Sequence, residues 1–367
     1  VVVPWRKDNT HMKKKSHRKR RLMVEFSVLC PLQAIGYRFV MTPLRIGLIG
    51  AGKHGSRYAK HIREDVPEAR LAAICRRNRQ EGEHLAAAYG CTYHSDFHSL
   101  MRDPYIDAIA VVVPPAFHDP IIEAACQTGK HILIEKPFAT SLAGARRMRE
   151  QIAASGVRCM VAHTLRFNTV VQTLKARLPE IAPLYSIYLS QRFEPSPLVW
   201  LDHKAESGGG IVLHTGVHSF DLLHFLTGCE VERVWCQLTQ VVTKETEDNF
   251  AMTCRMSDSL LTGAVFGSRS TRSRSGLIEL CGEKGQLVGD HAHGFAYLLK
   301  GWERTILPLD PLVPTVREAI RTFVDSVQHG TPFPITVDDG LRAVAIAEAC
   351  YQSAARGGQG VAVERCE

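Results

Sequence analysis

Long apolar runs are missing from this chain. None approaches the roughly 20 residues of a membrane span, so no transmembrane helix is expected. C-x-x-C pairs are missing too: the eleven cysteines are odd in number and scattered. That argues against a disulfide framework and for free, mostly buried thiols in a reducing compartment, the cytoplasm. A metal signature is equally absent; His214-x-x-x-His218 and His291-x-His293 are the only close pairs worth testing as ligands. Zinc needs a third ligand, and His224 lies a little off the face of the first pair, so no metal is assigned.

Net positive charge is present but misplaced for a nucleic-acid binder. Of the formal +8, all falls in residues 1–40, which hold ten Lys/Arg and two acids. The other 327 residues carry 35 basic and 35 acidic groups, so the body is neutral and no nucleic-acid partner is expected. The run "KKKSHRKRR" is a solvated charge cluster, and "LMVEFSVLCPLQAIG" is too broken by Glu25 and Pro31 for a signal h-region. Residues 1–43 are therefore read as a basic, disordered or non-native extension with a start at Met41. A twin-arginine export signal (Arg20, Arg21) and a basic interaction arm stay open as alternatives.

What is there begins at Leu44. At 367 residues and 45% hydrophobic, the chain is long enough for two domains, each with its own core. Apolar runs at 44–49, 71–75, 108–113, 131–134 and 158–162, with a weaker one at 91–94, alternate with helical stretches that often end at Gly. Such alternation predicts a doubly wound parallel α/β sheet, a Rossmann fold, over residues 44–165. After about 165 the runs "LYSIYLSQRF", "VERVWCQLTQVV", "NFAMTCRM", "LLTGAVFG" and "GLIELCG" are separated by short polar turns. They predict a mainly antiparallel sheet in an α+β domain over 166–367, with helices at 211–228, 314–329 and 338–355. No internal repeat is visible.

"LRIGLIGAGKHGSRYAKHI" sets Gly50, Gly52 and Gly55 between the first strand and its helix. There Gly50 permits the tight turn, Gly52 the approach of a pyrophosphate, and Gly55 close helix–strand packing. Lys53 and His54 complete the loop, and the helix N-terminus faces phosphate charge. An acidic residue at the end of the second strand would bind the ribose hydroxyl of NAD. Here the chain reads Arg76, Arg77, Asn78, Arg79. Guanidinium groups pair with a 2′-phosphate that a carboxylate would repel, so NADP is the expected cofactor and NAD the alternative.

The run at 108–113 leads into "VVVPPAFH" and the next into "ILIEKPF". In an open α/β sheet ligands bind beyond the carboxyl ends of the strands, so Pro114, Pro115, His118, Glu135 and Lys136 fall on the edge of the glycine loop. Neighbours on a strand point to opposite faces, so Glu135 and Lys136 have different tasks. Oxidising an alcohol requires a base, and a lysine with a lowered pKa can serve near neutral pH. The bland reading is a surface lysine in a strand-end turn.

Taken in order, GAGxxG, "VVVPPAFH", "ILIEKP", "LRFN" (165–168) and "GGGIVLHTGVHSFDLL" (208–223) resemble the Gfo/Idh/MocA oxidoreductases, the family of glucose–fructose oxidoreductase and the inositol dehydrogenases. The resemblance runs from about Leu44 to the closing "ITVDDGLRAVAIAEACYQSAARG". It implies that Lys136 is the catalytic acid/base, with Glu135 near the nicotinamide ribose and a cis Lys136–Pro137 bond. It further implies that Pro114, Pro115 and His118 line the cofactor groove and that His218 binds the reacting oxygen. Where many members carry aspartate, this chain has His214, four residues before His218 and on the same helical face. Arg166 is placed near substrate or nicotinamide, or in an interdomain salt bridge. Asp221 is read as a packing or hydrogen-bonding residue, and Arg192 and Trp200 as weaker pocket candidates.

These readings converge on an NADP-dependent oxidoreductase of a sugar, polyol or related small molecule, expected as a homodimer or homotetramer. A nicotinamide-dependent glycosidase and a non-catalytic dinucleotide-binding regulator are the alternatives on the same fold.

Overall fold

The structure, a computed structural model, describes residues 42–365; the readings made for the chain before Thr42 lie outside the described residues. The first half alternates as expected. In chain order it runs β1 (Leu44–Ile49), α1 (Gly55–Glu64), β2 (Ala69–Cys75), α2 (Arg79–Tyr89), β3 (Thr92–His94) and α3 (Phe97–Met101). It continues through β4 (Ala108–Val111), α4 (His118–Thr128), β5 (His131–Glu135), α5 (Leu142–Ser155) and β6 (Cys159–Ala162). All six strands pair in parallel in the order β3-β2-β1-β4-β5-β6. β4 and β6 are buried along their whole length, as strands covered by helices on both faces must be. The order reverses between β1 and β4, so the crevice of a doubly wound sheet opens beyond their carboxyl ends.

The second half follows with α6 (Thr169–Arg177), β7 (Leu184–Arg192), α7 (Lys204–Ser207), α8 (Val217–Thr227), β8 (Val231–Thr239), β9 (Asn249–Met256) and β10 (Thr262–Ser268). Then come β11 (Ser275–Gly282), β12 (Gly285–Asp290), β13 (Phe295–Lys300), β14 (Glu303–Ile306), α9 (Thr315–His329), α10 (Val337–Ala355) and β15 (Val361–Ala362). The nine strands form one sheet ordered β14-β13-β12-β11-β7-β10-β9-β8-β15. It is antiparallel except that β7 lies parallel to β10. β9 and β10 alternate buried and exposed residues, the pattern of a sheet covered on one face.

Helix α9 sends Val316, Ile320 and Phe323 back to the core of the parallel sheet. Helix α10 serves both cores, with Leu341 and Val344 on the first and Ile346 and Cys350 on the second. Its start is fixed by a capping box, Thr336 and Asp339 exchanging hydrogen bonds at the first turn. No helix among the described residues is long and apolar enough to cross a membrane, and the nine described cysteines are free thiols.

Candidate active site

The glycine loop lies at the switch point. Gly50 has φ +96°, a left-handed conformation, and a Cβ there would sit 2.7 Å from the carbonyl carbon of Val112. A Cβ at Gly55 would collide with the carbonyl oxygen of Gly50, so helix and turn are in direct contact. A Cβ at Gly52 would meet nothing within 4 Å. That open space before the N-terminus of α1 fits a dinucleotide pyrophosphate approaching backbone N–H groups.

Lys53 is exposed, whereas His54 reaches across the loop. Its Nε2 lies 2.6 Å from Oε1 of Glu135, and the buried Tyr58 hydroxyl donates to the same oxygen at 2.6 Å. Oε2 accepts from the Lys136 backbone N–H at 3.1 Å. Burial opposes the charge on Glu135, but His54, Lys136 and Tyr58 outweigh it and hold the carboxyl down at about 2. The spacing of sequence motifs carried no hint of Tyr58, which sits one helical turn past the loop.

After β2 the chain presents no carboxylate but Cys75 and then Arg76. The Arg76 guanidinium donates to the Ala51 carbonyl in the glycine loop and pairs with Glu81. Arg77 is exposed and lies over the Phe117 ring, 5.5 Å from its centroid. Asn78 is occupied as the N-cap of α2.

Val113 and Pro114 are half-buried at the turn after β4, and Pro115 is buried. His118 is buried between two backbone carbonyls, Nε2 at 3.2 Å from Val113 O and Nδ1 at 3.0 Å from Phe138 O. It thus ties the turn beyond β4 to the turn beyond β5. Burial lowers its pKa against the pull of those two carbonyls.

The Lys136–Pro137 bond is cis. Lys136 is half-buried, and its Nζ donates to the carbonyl oxygen of His214 at 2.8 Å. Burial lowers its pKa, Arg269 adds to the effect, and Glu135 opposes it. This brings the end of β5 against the segment that precedes α8.

That segment, Val212–Gly216, is a turn of π-helix, not the regular helix expected over 211–228. Such turns often mark functional sites. The three glycines before it allow close packing: a Cβ on Gly208 would sit 2.6 Å from Thr140, and one on Gly210 would collide with the Glu247 carbonyl. The rings of His214 and His218 meet different neighbours. The His214 ring is buried, with Nε2 3.0 Å from Ser207 O and its plane edge-on to Trp200 at 5.3 Å. The half-buried His218 ring lies 6.4 Å from that of His163, edge to face. Burial, then Lys136, holds the pKa of each of His214 and His218 well below the ordinary histidine value.

His163 was not singled out by sequence, although a polar residue directly after a fully buried four-residue strand is a usable signal. Both its ring nitrogens are buried without a partner, as is Nδ1 of His218. Arg269, just beyond β10, was also missed. It is half-buried and donates to the Thr215 hydroxyl at 3.1 Å, on the residue next to His214.

Arg166 is brought elsewhere. It is buried and gives two hydrogen bonds to Asp221 (2.8 and 2.5 Å), an ion pair to Asp339 (2.8 Å) and one bond to the Pro334 carbonyl (3.0 Å). Burial disfavours the guanidinium charge, but the two carboxylates more than compensate and raise its pKa. It ties α8 to α10 with every partner inside 166–367, so it is a salt bridge but not the interdomain one expected. Arg192 ends β7 exposed, opposite Ser268. Among the described residues no three His, Cys, Asp or Glu converge as metal ligands.

Known proteins share this arrangement of sequence and fold. Residues 44–163 match an oxidoreductase family with an NAD-binding Rossmann fold, and residues 180–288 match the GFO/IDH/MocA C-terminal domain. The myo-inositol 2-dehydrogenase of Thermotoga maritima is 26% identical over 327 residues, 84% of this chain and 96% of the relative. The inositol 2-dehydrogenase of Rhizobium meliloti is 26% identical over 325 residues, 85% of this chain and 97% of the relative. The structure of levoglucosan dehydrogenase in complex with NADH and levoglucosan superposes with a TM-score of 0.80 at 21% identity. It covers 88% of this chain and 100% of that one, a likeness of fold.

Proposed function

The chain belongs to the Gfo/Idh/MocA oxidoreductase family and is an NAD(P)-dependent oxidoreductase, and on that premise we propose that it is an NADP-preferring dehydrogenase of a sugar, polyol or related small molecule. Residues 44–165 hold the dinucleotide and residues 166–367 the substrate. The relatives named for inositols support the polyol class.

The observation that carries this reading is the position of Lys136. It projects from the carboxyl end of β5, the edge of the parallel sheet that also carries the glycine loop, and is anchored on the carbonyl of the π-turn that carries His214. When bound, the nicotinamide supplies the hydride acceptor or donor. Lys136 Nζ takes the hydroxyl proton in oxidation and returns it in reduction. One of its N–H groups stays on the His214 carbonyl, which fixes its direction. The half-buried His218 offers a neutral imidazole to the reacting oxygen, and His163 packs behind it. Glu135, held ionised, fixes His54 of the glycine loop and Tyr58 of α1 against the lysine's own strand end. Arg76 and Arg77 support a 2′-phosphate at the end of β2, and the pairing of Arg76 with Glu81 tempers that preference.

We place the enzyme in the cytoplasm, consistent with its free thiols, and expect a homodimer or homotetramer. The face of the nine-stranded sheet turned away from its core exposes Trp235 and Phe266, with the Tyr188 ring tilted against the latter at 5.6 Å.

The test is a turnover screen of sugars, polyols, sugar acids and their keto forms with NAD and NADP, read by nicotinamide absorbance beside Lys136→Ala. Turnover that favours NADP and disappears in the variant is expected. Sugar release with no net change in cofactor would instead identify a glycosidase, and silence with tight NADPH binding a regulator.

A further inference from the structure

Two cations face the same turn in this site, and neither forms an ion pair among the described residues. Lys136 Nζ is held by the carbonyl of His214, and the Arg269 guanidinium by the hydroxyl of the next residue, Thr215. Several other partly or fully buried arginines are matched, Arg45 with Asp107, Arg76 with Glu81, Arg166 with Asp221 and Asp339, Arg342 with Glu230 and Asp339, whereas Arg158 and Arg233 donate to backbone carbonyls. Arg269 forms no ion pair among the described residues.

The carboxylates within its reach are already committed to other groups. Glu247 accepts from the backbone N–H groups of Gly210 and Val212 and from the Tyr351 hydroxyl. Asp248 caps the backbone N–H groups of Val241, Val242 and Thr243. Glu135 is turned toward His54 and Tyr58 on the cofactor side. The remaining polar side chains around the turn, His163, His214 and His218, have their pKa values lowered by burial first, which favours the neutral rings. Burial likewise pulls the Arg269 guanidinium below its ordinary value, whereas Arg166, with its two carboxylates, is raised.

A guanidinium partly withdrawn from water without an ion-pair partner is open to a ligand that supplies an anion. Its fork matches the two oxygens of a carboxylate, which an ammonium such as Lys136 cannot grip in that way. We infer that the substrate is a carboxylate-bearing polyhydroxy compound, a sugar acid of the uronate or aldonate type, whose carboxylate sits on Arg269 while a hydroxyl close by in the molecule meets Lys136. This inference rests on the oxidoreductase reading for the reaction but not for the binding, and the two are separable.

Matched pairs decide it: glucuronate against glucose, galacturonate against galactose, and gluconate against sorbitol, each with NAD and NADP. The wild-type enzyme is expected to prefer the acid. Arg269→Gln should reduce the acid-to-neutral ratio of kcat/KM by about 100-fold, the scale of a lost charge-assisted pair, and Arg269→Lys should restore part of it. NADH fluorescence and a thermal melt confirm that each variant is folded and still binds cofactor. Independently, gluconate and glucuronate are titrated calorimetrically into Lys136→Met loaded with NADH, with and without Arg269→Gln. Carboxylate binding that requires Arg269 supports the inference even if no compound is turned over, in which case only the oxidoreductase reading fails. Preference for neutral sugars, preference for sugar phosphates, an acid-to-neutral ratio untouched by Arg269→Gln, or no Arg269-dependent carboxylate binding would each overturn it.

Discussion

Lys136 Nζ and the carbonyl oxygen of His214 are 2.8 Å apart although 78 residues separate them in sequence. The contact joins a strand end of the parallel sheet to the π-turn before α8, so the lysine is aimed by one half of the molecule and anchored by the other. Burial lowers its pKa, so the neutral amine is reached at lower pH than in free lysine.

Replacing Lys136 by Ala should therefore lower kcat by about 10²–10⁴-fold, the range of a lost general acid/base, while NADH binding, read by fluorescence, stays within a few-fold. In the wild type, alcohol oxidation should rise with pH as Nζ loses its proton and then level off; the variant should lose that limb. The depressed pKa also means that the protonated lysine costs stability at any pH below its folded value, a cost relieved as pH rises toward 10.5. Lys136→Met is thus expected to melt higher than wild type near neutral pH while being inactive.

Glu135 gives a prediction of the opposite sign. Its carboxyl is held at about 2 against an ordinary 4.5. A depressed carboxylate contributes stability that is present above about pH 4.5 and is lost as pH falls through 4.5 toward 2. Glu135→Gln should lower stability at pH 7 by on the order of 2–3 kcal/mol, and the stability gap between the two proteins should shrink as pH falls below about 4.5 and close only below about pH 2. A gap that stays constant with pH would mean that the Glu135 charge is not what His54 and Tyr58 recognise.

Much of this arrangement is legible in the sequence, and the parts that are not share a cause. The run "LRIGLI" followed by GAGxxG announces β1 and its loop because parallel buried strands and tight glycine turns are local features. The same holds for "ILIE" as β5, with Lys136 at its end. The parallel pairing of β7 with β10 is different: it depends on strands about 75 residues apart in the chain, and no local pattern encodes it. That pairing sets Arg269 near Thr215, so Arg269 was invisible. The π-turn was invisible too, since "IVLHTGVHSFDLL" has ordinary helical periodicity and only the glycine-lined approach to Thr140 and Glu247 displaces it. Arg166 shows the limit of transfer by resemblance, as its partner Asp221 lies 55 residues away and Asp339 comes from the C-terminal helix.

The proposed NADP preference rests on the balance between Arg76 and Glu81. If the pair leaves enough positive charge for a 2′-phosphate, Arg76→Ala should lower the NADP-to-NAD ratio of kcat/KM by about tenfold or more, the scale of one charge-assisted contact. Glu81→Gln should shift the ratio the other way by freeing the guanidinium. Steady-state kinetics with both cofactors checks this. A ratio that neither change moves would place the selection elsewhere, with the exposed Arg77 over Phe117 as the next candidate.

The Arg166–Asp221–Asp339 network should behave as a structural tie and not as a substrate contact. Asp221 is 3% exposed, so Asp221→Ala leaves a buried guanidinium with one carboxylate where it had two. The expected loss is about 3 kcal/mol or more, measured by chemical denaturation. Replacing both partners, Arg166→Met with Asp221→Leu, should cost much less than the sum of the single changes, because the double variant leaves no charge of that pair unpaired. His218 is three residues before Asp221 on the same helix, so the single variant should also reduce kcat by loosening that helix. Were Arg166 instead a direct substrate ligand, Arg166→Met would raise KM steeply with little loss of stability, and the two measurements together separate a tie from a ligand.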